Sequence, residues 1–236
     1  MELLKDPLTL MYAILGGGIP AIFWLWFWLR QEDDENKEPR GLIALSFIFG
    51  IFLVIFAIWL ERYSINFITD KTYQVIIWAT IEEGLKFIGA LIIILSCGCV
   101  EEPIDYPMYF IAVALGFAAF ENILYLLQPI NTNGTLVGMF TGNLRFLGST
   151  LLHLIASSMI GSAMGLSFYI RQYRIPYTFI GLIFAIVLHS AFNFFIMKGS
   201  GENLLAVFGF LWVIAIINIL IFEKLKRMGY EVTPTT

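Results

Sequence analysis

The chain has 236 residues, of which 59% are hydrophobic and only 14% charged, and its formal net charge is -4. Soluble domains usually contain about 25% charged residues, so this composition predicts a membrane protein and disfavours an ordinary soluble enzyme. The mild net charge and the absence of a basic or acidic tail argue against a nucleic-acid partner. The only two cysteines, Cys97 and Cys99, are too few for a disulfide framework.

Seven stretches of predominantly apolar residues, bounded by charge, Pro, Asn or Gly, predict membrane-spanning helices. They are Leu8–Leu29, Gly41–Leu60, Tyr73–Leu95, Pro107–Leu127, Leu144–Ile170, Pro176–Met197 and Leu204–Phe222. The predicted fold class is therefore all-α, a polytopic membrane protein of about seven transmembrane helices with an intramembrane polar cavity. Residues 1–236 are predicted to form a single transmembrane domain, with a motif-bearing core at about 73–197.

Lys and Arg residues in the loops predict how the helices are oriented. With the C-terminus placed inside, the inner segments hold eight of these residues and the outer segments five, while Lys86 is intramembrane. The count predicts a multi-pass protein of the cell membrane with its N-terminus outside and its C-terminus in the cytoplasm. The inner loop after the third helix, with Glu101, Glu102 and Asp105, carries no positive charge and weakens this prediction.

Ionisable or strongly polar side chains interrupt four of the predicted helices at one depth. Each lies roughly eight or nine residues from a helix end, about 12–13 Å at 1.5 Å per residue. A charged group in the hydrocarbon layer costs on the order of 2.5–3.5 kcal/mol on insertion scales, so four helices that meet this cost together indicate a functional site. The residues are Glu82, Glu83, Lys86, Glu121, Asn122, His153, His189 and Asn193.

Small residues predict which way the histidines face. The fifth helix has an uninterrupted i+4 row, and small residues in such a row allow a neighbouring helix to approach closely. The sixth helix repeats the pattern, so both histidines should face other helices rather than lipid. For one intramembrane histidine a hydrogen-bonded packing role is the simpler interpretation, but the whole set at one depth favours a site. The rows are Ser149, His153, Ser157, Gly161 and Gly165, and Gly181, Ala185, His189 and Asn193.

The third helix carries two adjacent carboxylates and one lysine. Glu82 and Lys86 are i,i+4 neighbours in the more favourable order, so Lys86 is predicted to neutralise Glu82. Glu83 then has no partner on its own helix, and adjacent carboxylates in a low dielectric need a proton, a cation or strong donors. Glu83 is therefore slightly favoured as a general base, and Lys86 is predicted to be structural and electrostatic.

Carboxylates, imidazoles and a carboxamide in one place can hydrolyse an acyl bond. Glu can deprotonate a water molecule, His can orient the water or bind an oxyanion, and Asn can donate to the developing oxyanion. No G-x-S-x-G motif is present, and the cysteines lie at the opposite end of the third helix, although the spacing leaves Ser157 and Ser190 open as nucleophiles. Glu and His also bind zinc, but no H-E-x-x-H motif signals a metal.

The motif order resembles the PrsW family of intramembrane proteases, which shares a superfamily with the CAAX prenyl endopeptidases. The resemblance rests on Glu82-Glu83-x-x-Lys86, Phe117-x-x-x-Glu121, His153 and His189-x-x-x-Asn193. A glutamate at position 121, where the prenyl-endopeptidase branch typically has histidine, favours the PrsW branch.

The resemblance implies an intramembrane endopeptidase in which Glu82 or Glu83 activates water. Glu121 and His153 would complete the catalytic site, and His189 and Asn193 would bind the oxyanion or polarise the substrate. Supporting roles are predicted for Lys86, Asn122 and Arg145. No cofactor is expected; if zinc were bound, the ligands would be Glu83, Glu121, His153 and His189. The implied partners are the lipid bilayer and a membrane-protein substrate, for example a single-pass anti-sigma factor in regulated proteolysis.

Three other functions compete with this interpretation. A CAAX-type prenyl-peptide protease is the nearest alternative among enzymes. A proton-coupled transporter could also use intramembrane carboxylates and histidines, but it should show repeated halves and broken helices, and neither is evident in the sequence. A non-enzymatic scaffold could inherit an inactive site, and the complete set of polar groups argues against that.

Overall fold

A computed structural model describes residues 7–32, 38–133, 135–198 and 204–230, with side chains described for all of these except 128–147, 196–198, 204 and 230. In this part of the chain there are seven α-helices and no strand. The helices are α1 (Pro7–Leu29), α2 (Arg40–Ser64), α3 (Lys71–Cys97), α4 (Asp105–Asn133), α5 (Thr135–Leu166), α6 (Arg174–Lys198) and α7 (Leu204–Tyr230), with a short 3-10 helix, Arg171–Tyr173, before α6.

The predicted all-α membrane architecture is confirmed. Six of the described helices are long and apolar enough to cross a membrane, and α3 carries three charged residues near its middle. The largest difference in bounds concerns α5, which begins at Thr135 instead of residue 144 and ends at Leu166 instead of residue 170. Its C-terminal end is set by Ser167, whose backbone N–H and hydroxyl both donate to the carbonyl of Met164.

Helices α4 and α5 form the centre of the bundle. Residues 103–119 and 148–158 are buried throughout. Helix α4 packs against α1, α2 and α5, and α5 also contacts α6 and α7. The outer helices expose large apolar side chains such as Phe52, Phe56 and Trp59 on α2. This distribution fits a bundle whose polar groups are sequestered inside and whose surface faces lipid.

The small-residue row on α5 packs closely against the start of α4. A Cβ atom at Gly161 would lie 2.5 Å from Cα of Pro107, and one at Gly165 would overlap the carbonyl oxygen of Pro103. On α6, a Cβ atom at Gly181 would lie 2.8 Å from Cβ of Ala163 on α5. The glycine rows therefore bring α4, α5 and α6 together, and the histidines on the same rows face the interior.

Helices α2 and α4 cross with their backbones in contact. A Cβ atom at Gly50 would overlap the carbonyl oxygen of Val113, and one at Gly116 would overlap the carbonyl oxygen of Phe47. Backbone atoms cannot move aside as a flexible side chain could, so both positions require glycine at this spacing. The crossing fixes the distance between α2 and α4 on one side of the candidate site.

A second polar network lies at the opposite end of the bundle from the site. Oδ2 of Asp105 accepts hydrogen bonds from the backbone N–H groups of Glu101 at 2.8 Å and Glu102 at 2.7 Å. The hydroxyl of Tyr109 donates to Oε2 of Glu38, which precedes α2. Burial raises the pKa of Glu38 to about 8. This network joins the loop before α4 to the start of α2.

The two cysteines lie where α3 ends. Gly98 has a left-handed backbone (φ 59°) and closes the helix, and Cys97 and Cys99 on either side of it form a disulfide. Because this bond spans only two residues, it constrains one turn and is not a framework for the fold.

Candidate active site

Glu83 lies at the centre of the site and has contacts from three helices. Its side chain is fully buried. Oε1 lies 2.5 Å from Nζ of Lys86 on the same helix and accepts a hydrogen bond from Nδ1 of His189 on α6 at 2.7 Å. The hydroxyl of Ser157 on α5 donates to Oε2 at 3.1 Å. Both oxygens of Glu83 therefore have partners, and this carboxylate joins α3, α5 and α6.

His153 on α5 lies between Lys86 and Glu121. Its Nδ1 is 2.7 Å from Nζ of Lys86, and its Nε2 is 2.7 Å from Oε2 of Glu121 on α4. Because an ammonium group only donates, Nδ1 is the accepting nitrogen, and the neutral ring carries its proton on Nε2. The ring of Phe117 lies 5.6 Å from the His153 ring and 4.8 Å from Nζ of Lys86. The buried cation is thus surrounded by a carboxylate, an imidazole and an aromatic face.

Glu82 borders a gap between the two imidazole rings. Its Oε2 lies 3.8 Å from Nε2 of His189, 3.9 Å from Nδ1 of His153 and 4.0 Å from Nζ of Lys86. These distances are too long for direct hydrogen bonds, and Oε2 has no hydrogen-bond partner among the described residues. Since Nδ1 of His189 donates to Glu83, its Nε2 carries the lone pair that faces Glu82. A buried acceptor without a donor is costly, so this gap suits a water molecule or a cation.

The structure brings together six of the residues that the sequence singles out. The two imidazole rings are 5.0 Å apart and nearly perpendicular, at 87°. The four helices that carry the six residues meet at one depth, as the residue spacing predicts. The catalytic roles of these residues stay predictions. The six are Glu82, Glu83 and Lys86 on α3, Glu121 on α4, His153 on α5 and His189 on α6.

The prediction that Glu83 has no partner on its own helix is wrong. Nζ of Lys86 lies 2.5 Å from Glu83 and 4.0 Å from Glu82. Both i,i+3 and i,i+4 neighbours are within reach on a helix, and here His189 and Ser157 from other helices hold the Glu83 carboxylate beside the ammonium group. The reasoning that favoured Glu83 as the base therefore points instead to Glu82, which borders the gap.

Two further predicted residues lie outside this cluster, and the side chain of a third is not among the described ones. Nδ2 of Asn122 donates to Oγ1 of Thr150 at 3.0 Å, a contact that supports the packing of α4 against α5. Asn193 is half-buried on α6, one turn beyond His189, and has no hydrogen bond to a described residue. Arg145 belongs to α5, but its side chain lies outside the described ones.

A carboxylate that sequence analysis missed, Glu61 on α2, faces the same site. Its carboxyl group lies near that of Glu82. A contact between α2 and α3 explains why these two carboxylates are level: Nε1 of Trp78 on α3 donates to Oγ of Ser64 on α2 at 3.2 Å. Glu82 lies about one helical turn after Trp78, and Glu61 lies about one turn before Ser64. Both carboxylates border a cavity of about 230 Å³. It is lined by Val54, Ala57, Ile58, Glu61, Glu82, Phe117, Glu121, Leu124 and Tyr125.

Glu82, His153 and His189 could hold a metal ion. One ligand atom from each lies within 4.8 Å of the others. The donor types suit zinc, and Oε2 of Glu82 has no hydrogen-bond partner within the described part of the chain. The Glu83 carboxylate lies behind His189 in the manner that usually orients a metal-binding histidine. Nδ1 of His153 would exchange its ammonium partner for the ion. The ligand set predicted from the sequence shares only the two histidines with this one. Both oxygens of Glu83 already have partners, and Glu121 faces the other side of the His153 ring.

Buried carboxylates and imidazoles around a gap, inside a bundle of membrane-spanning helices, define an intramembrane site suited to activating water. The chain belongs to the PrsW family of intramembrane metalloproteases, whose family model matches residues 38–221. The resemblance noted from the motifs is thereby confirmed, and the protein is a multi-span membrane protease.

Known relatives agree with the family match, and each of the three that follow bears the name Protease PrsW. The protein from Clostridioides difficile (strain 630) is 26% identical over 193 residues, or 76% of each chain. The one from Shouchella clausii (strain KSM-K16) is 25% identical over 221 residues, or 92% of this chain and 99% of the relative. The one from Bacillus subtilis (strain 168) is 28% identical over 209 residues, or 86% of this chain and 92% of the relative. No solved structure matches the chain.

Proposed function

We propose that this PrsW-family protease hydrolyses peptide bonds of membrane-associated proteins with a water molecule that Glu82 activates. The observation that carries the proposal is the gap of 3.8 Å between Oε2 of Glu82 and Nε2 of His189. Both atoms are acceptors here, and one water molecule that donates a hydrogen bond to each would satisfy them. The oxygen lone pairs of that water then remain available to attack a carbonyl carbon.

The proton balance of the reaction needs only Glu82. The carboxylate accepts a proton from the water as its oxygen attacks the carbonyl carbon, and the resulting carboxyl group donates that proton to the amine nitrogen as the C–N bond breaks. The ammonium group of Lys86 is 4.0 Å from Oε2 of Glu82 and adds positive charge where negative charge develops. Glu83 holds both Lys86 and His189 in place for this step.

The family description as a metalloprotease gives a second route through the same residues. A zinc ion bound by Glu82, His153 and His189 would act as a Lewis acid and lower the pKa of a bound water. Glu83 and Glu121 would then orient the two imidazoles, since each lies 2.7 Å from a ring nitrogen. A chelator separates the routes: surviving activity supports a metal-free base, and activity that is lost and restored by added zinc supports the metal.

The substrate class that we propose is a single-pass membrane protein, for which the family resemblance suggests an anti-sigma factor. The site lies inside the helix bundle, so a substrate that is already in the bilayer is nearest to it. In cells, deletion of the protease should then leave the full-length anti-sigma factor intact under inducing conditions. An unchanged processing pattern in the deletion strain would exclude this substrate.

A cleavage assay tests the function directly. The purified protein is reconstituted in liposomes with single-span reporter proteins. Glu82→Gln keeps the size and the hydrogen-bonding capacity of the side chain, and we expect it to lower the cleavage rate about 10²–10⁴-fold. Glu101→Gln, which changes an exposed residue in the loop after α3, is the matched control and should cleave at the wild-type rate. A wild-type rate in Glu82→Gln overturns the base assignment, and no cleavage of any reporter by the wild type overturns the substrate class.

A further inference from the structure

The cavity beside Glu82 opens between α2 and α4. Where Gly50 and Gly116 meet, the two helix backbones touch. Glu61 lies eleven residues further along α2, or about 16 Å at 1.5 Å per residue, and there the same helices enclose a cavity of about 230 Å³. Leu124 and Tyr125 at its border on α4 are 36% and 45% exposed. The cavity is therefore a wedge-shaped cleft between α2 and α4 that reaches from the outer surface of the bundle to Glu82.

We propose that this cleft admits the substrate chain and that Glu61 makes the protease select substrates with a Lys or Arg side chain near the scissile bond. The inference rests on the proposed proteolytic function and names the substrate feature that the site would recognise.

The charge of the cleft supports a cationic occupant. Glu61, Glu82 and Glu121 all line it, and no Lys, Arg or His is among its described lining residues. The nearest ammonium group, that of Lys86, is directed to Glu83 at 2.5 Å. Carboxylates in a low dielectric repel one another unless a proton or a cation lies between them. A second observation points the same way, because the Glu82 side chain, which lines the cleft, is only 9% exposed and its Oε2 has no hydrogen-bond partner among the described residues.

The walls of the cleft suit a basic side chain rather than a bare ion at the position of Glu61. Val54, Ala57 and Phe117 make the walls apolar, and such walls can pack against the methylene stem of Lys or Arg while the charged head reaches a carboxylate. Glu61 is also outside the set that could hold a metal, which is made of Glu82 and the two histidines. Glu61 is thus placed to recognise a substrate group while Glu82 remains at the reaction centre.

Matched substrates test the inference. A single-span reporter that the wild type cleaves is chosen first, and its cut position is located by mass spectrometry. Each of the four flanking residues is then replaced in turn by Lys, Met or Glu, and kcat/KM is measured in liposomes. We expect the wild type to favour Lys over Met at one of these positions by about 10–100-fold, the range of a hydrogen bond to a charged group. The preference should appear mainly in KM.

Variants of Glu61 complete the experiment. Glu61→Gln should abolish the preference for Lys, so that kcat/KM becomes equal for the Lys and Met reporters, and Glu61→Lys should favour the Glu reporter. Glu101→Gln, which lies away from the cleft, should keep the wild-type preference. A wild type that cleaves Lys, Met and Glu reporters equally overturns the inference without touching the protease function. A Glu61→Gln protein that slows all reporters by the same factor also overturns it, whereas failure to cleave any reporter is a failure of the proposed function.

Discussion

The ammonium group of Lys86 lies 2.5 Å from Oε1 of Glu83, and both side chains are fully buried. Such a pair gains little over an apolar contact, but removal of one partner leaves an uncompensated charge and typically costs about 3–5 kcal/mol. Since Glu83 also accepts hydrogen bonds from Ser157 and His189, the pair connects α3 to α5 and α6. The two neighbouring glutamates of α3 are therefore expected to respond differently to substitution.

Glu83→Gln should destabilise the protein, whereas Glu82→Gln should chiefly remove activity. Glutamine at position 83 removes the anion nearest to the buried Lys86, so we expect a loss of about 3–5 kcal/mol in the free energy of unfolding. Glutamine at position 82 disturbs no hydrogen bond of Oε2, because that atom has none with a described residue. Thermal unfolding in detergent, measured beside the cleavage rate, separates the two effects. Equal stability of the two variants would contradict this assignment.

Lys86→Met should be destabilising by a similar amount, because it leaves Glu83 buried as the only charge of the pair. The double variant Glu83→Gln/Lys86→Met removes both charges, so its loss of stability should be smaller than the sum of the two single losses. This double-mutant cycle is measured by the same unfolding experiment. Strict additivity would show that the two groups do not interact in the folded protein.

Glycine should be required where α2 and α4 touch. Gly50→Ala and Gly116→Ala each place a Cβ atom on a backbone carbonyl of the other helix, so we expect both to lower the unfolding temperature and the yield of folded protein. Gly209→Ala on α7 is the matched control, because a Cβ atom there has nothing within 4 Å. In that position alanine should be neutral or stabilising, since it favours the helix by about 0.8–1.0 kcal/mol over glycine. A stable Gly116→Ala variant would contradict the backbone contact.

The stability of the protein should fall as pH rises through the titration of Glu38. Burial raises the pKa of this carboxyl from its ordinary value of 4.5 to about 8. Between these values the folded protein keeps a proton that the unfolded chain has lost, so the free energy of unfolding decreases with increasing pH. Glu38→Gln keeps an oxygen that can accept from Tyr109 and carries no charge at any pH.

Unfolding curves across this pH window check the expectation. The contribution of Glu38 to the stability of the wild type should be greatest at the acidic end of the window. Glu38→Gln should flatten the pH dependence of the free energy of unfolding and be the more stable protein above about pH 8. Glu101→Gln, whose side chain is exposed, serves as the control and should follow the wild type. A pH dependence that is unchanged in Glu38→Gln would assign it to other groups.

The orientation of the helices stays a prediction that a reporter fusion can test. The charge count places the C-terminus and the end of α3 in the cytoplasm, where thiols are normally kept reduced, yet Cys97 and Cys99 form a disulfide. A fluorescent protein that folds only in the cytoplasm should be bright when it is fused to the C-terminus. Brightness only at an N-terminal fusion would reverse the orientation and place the disulfide outside.

Residue spacing predicted the helices, the shared depth and the inward direction of His153 and His189, because small-residue rows act locally and can be read along one helix. The partner of Lys86 could not be read in this way, since two glutamates on its own helix are within reach and the choice depends on groups from α5 and α6. Glu61 was missed for a similar reason. Beside Arg62 at the end of an apolar run it resembles a solvated flank, and only the contact of Trp78 with Ser64 brings it level with Glu82.

The glycine contact between α2 and α4 also defines a pivot point between these two helices. Gly50 and Gly116 lie at the pivot, and the stretch of α2 from Gly50 to Glu61 is about 16 Å long. A rotation of about 10° about this point would separate α2 from α4 by about 3 Å at Glu61, by the geometry of a helix that rises 1.5 Å per residue. Such a rotation would widen the cleft at Glu61 and keep the glycine contact, which is the direction of opening that the proposed entry of a substrate chain requires.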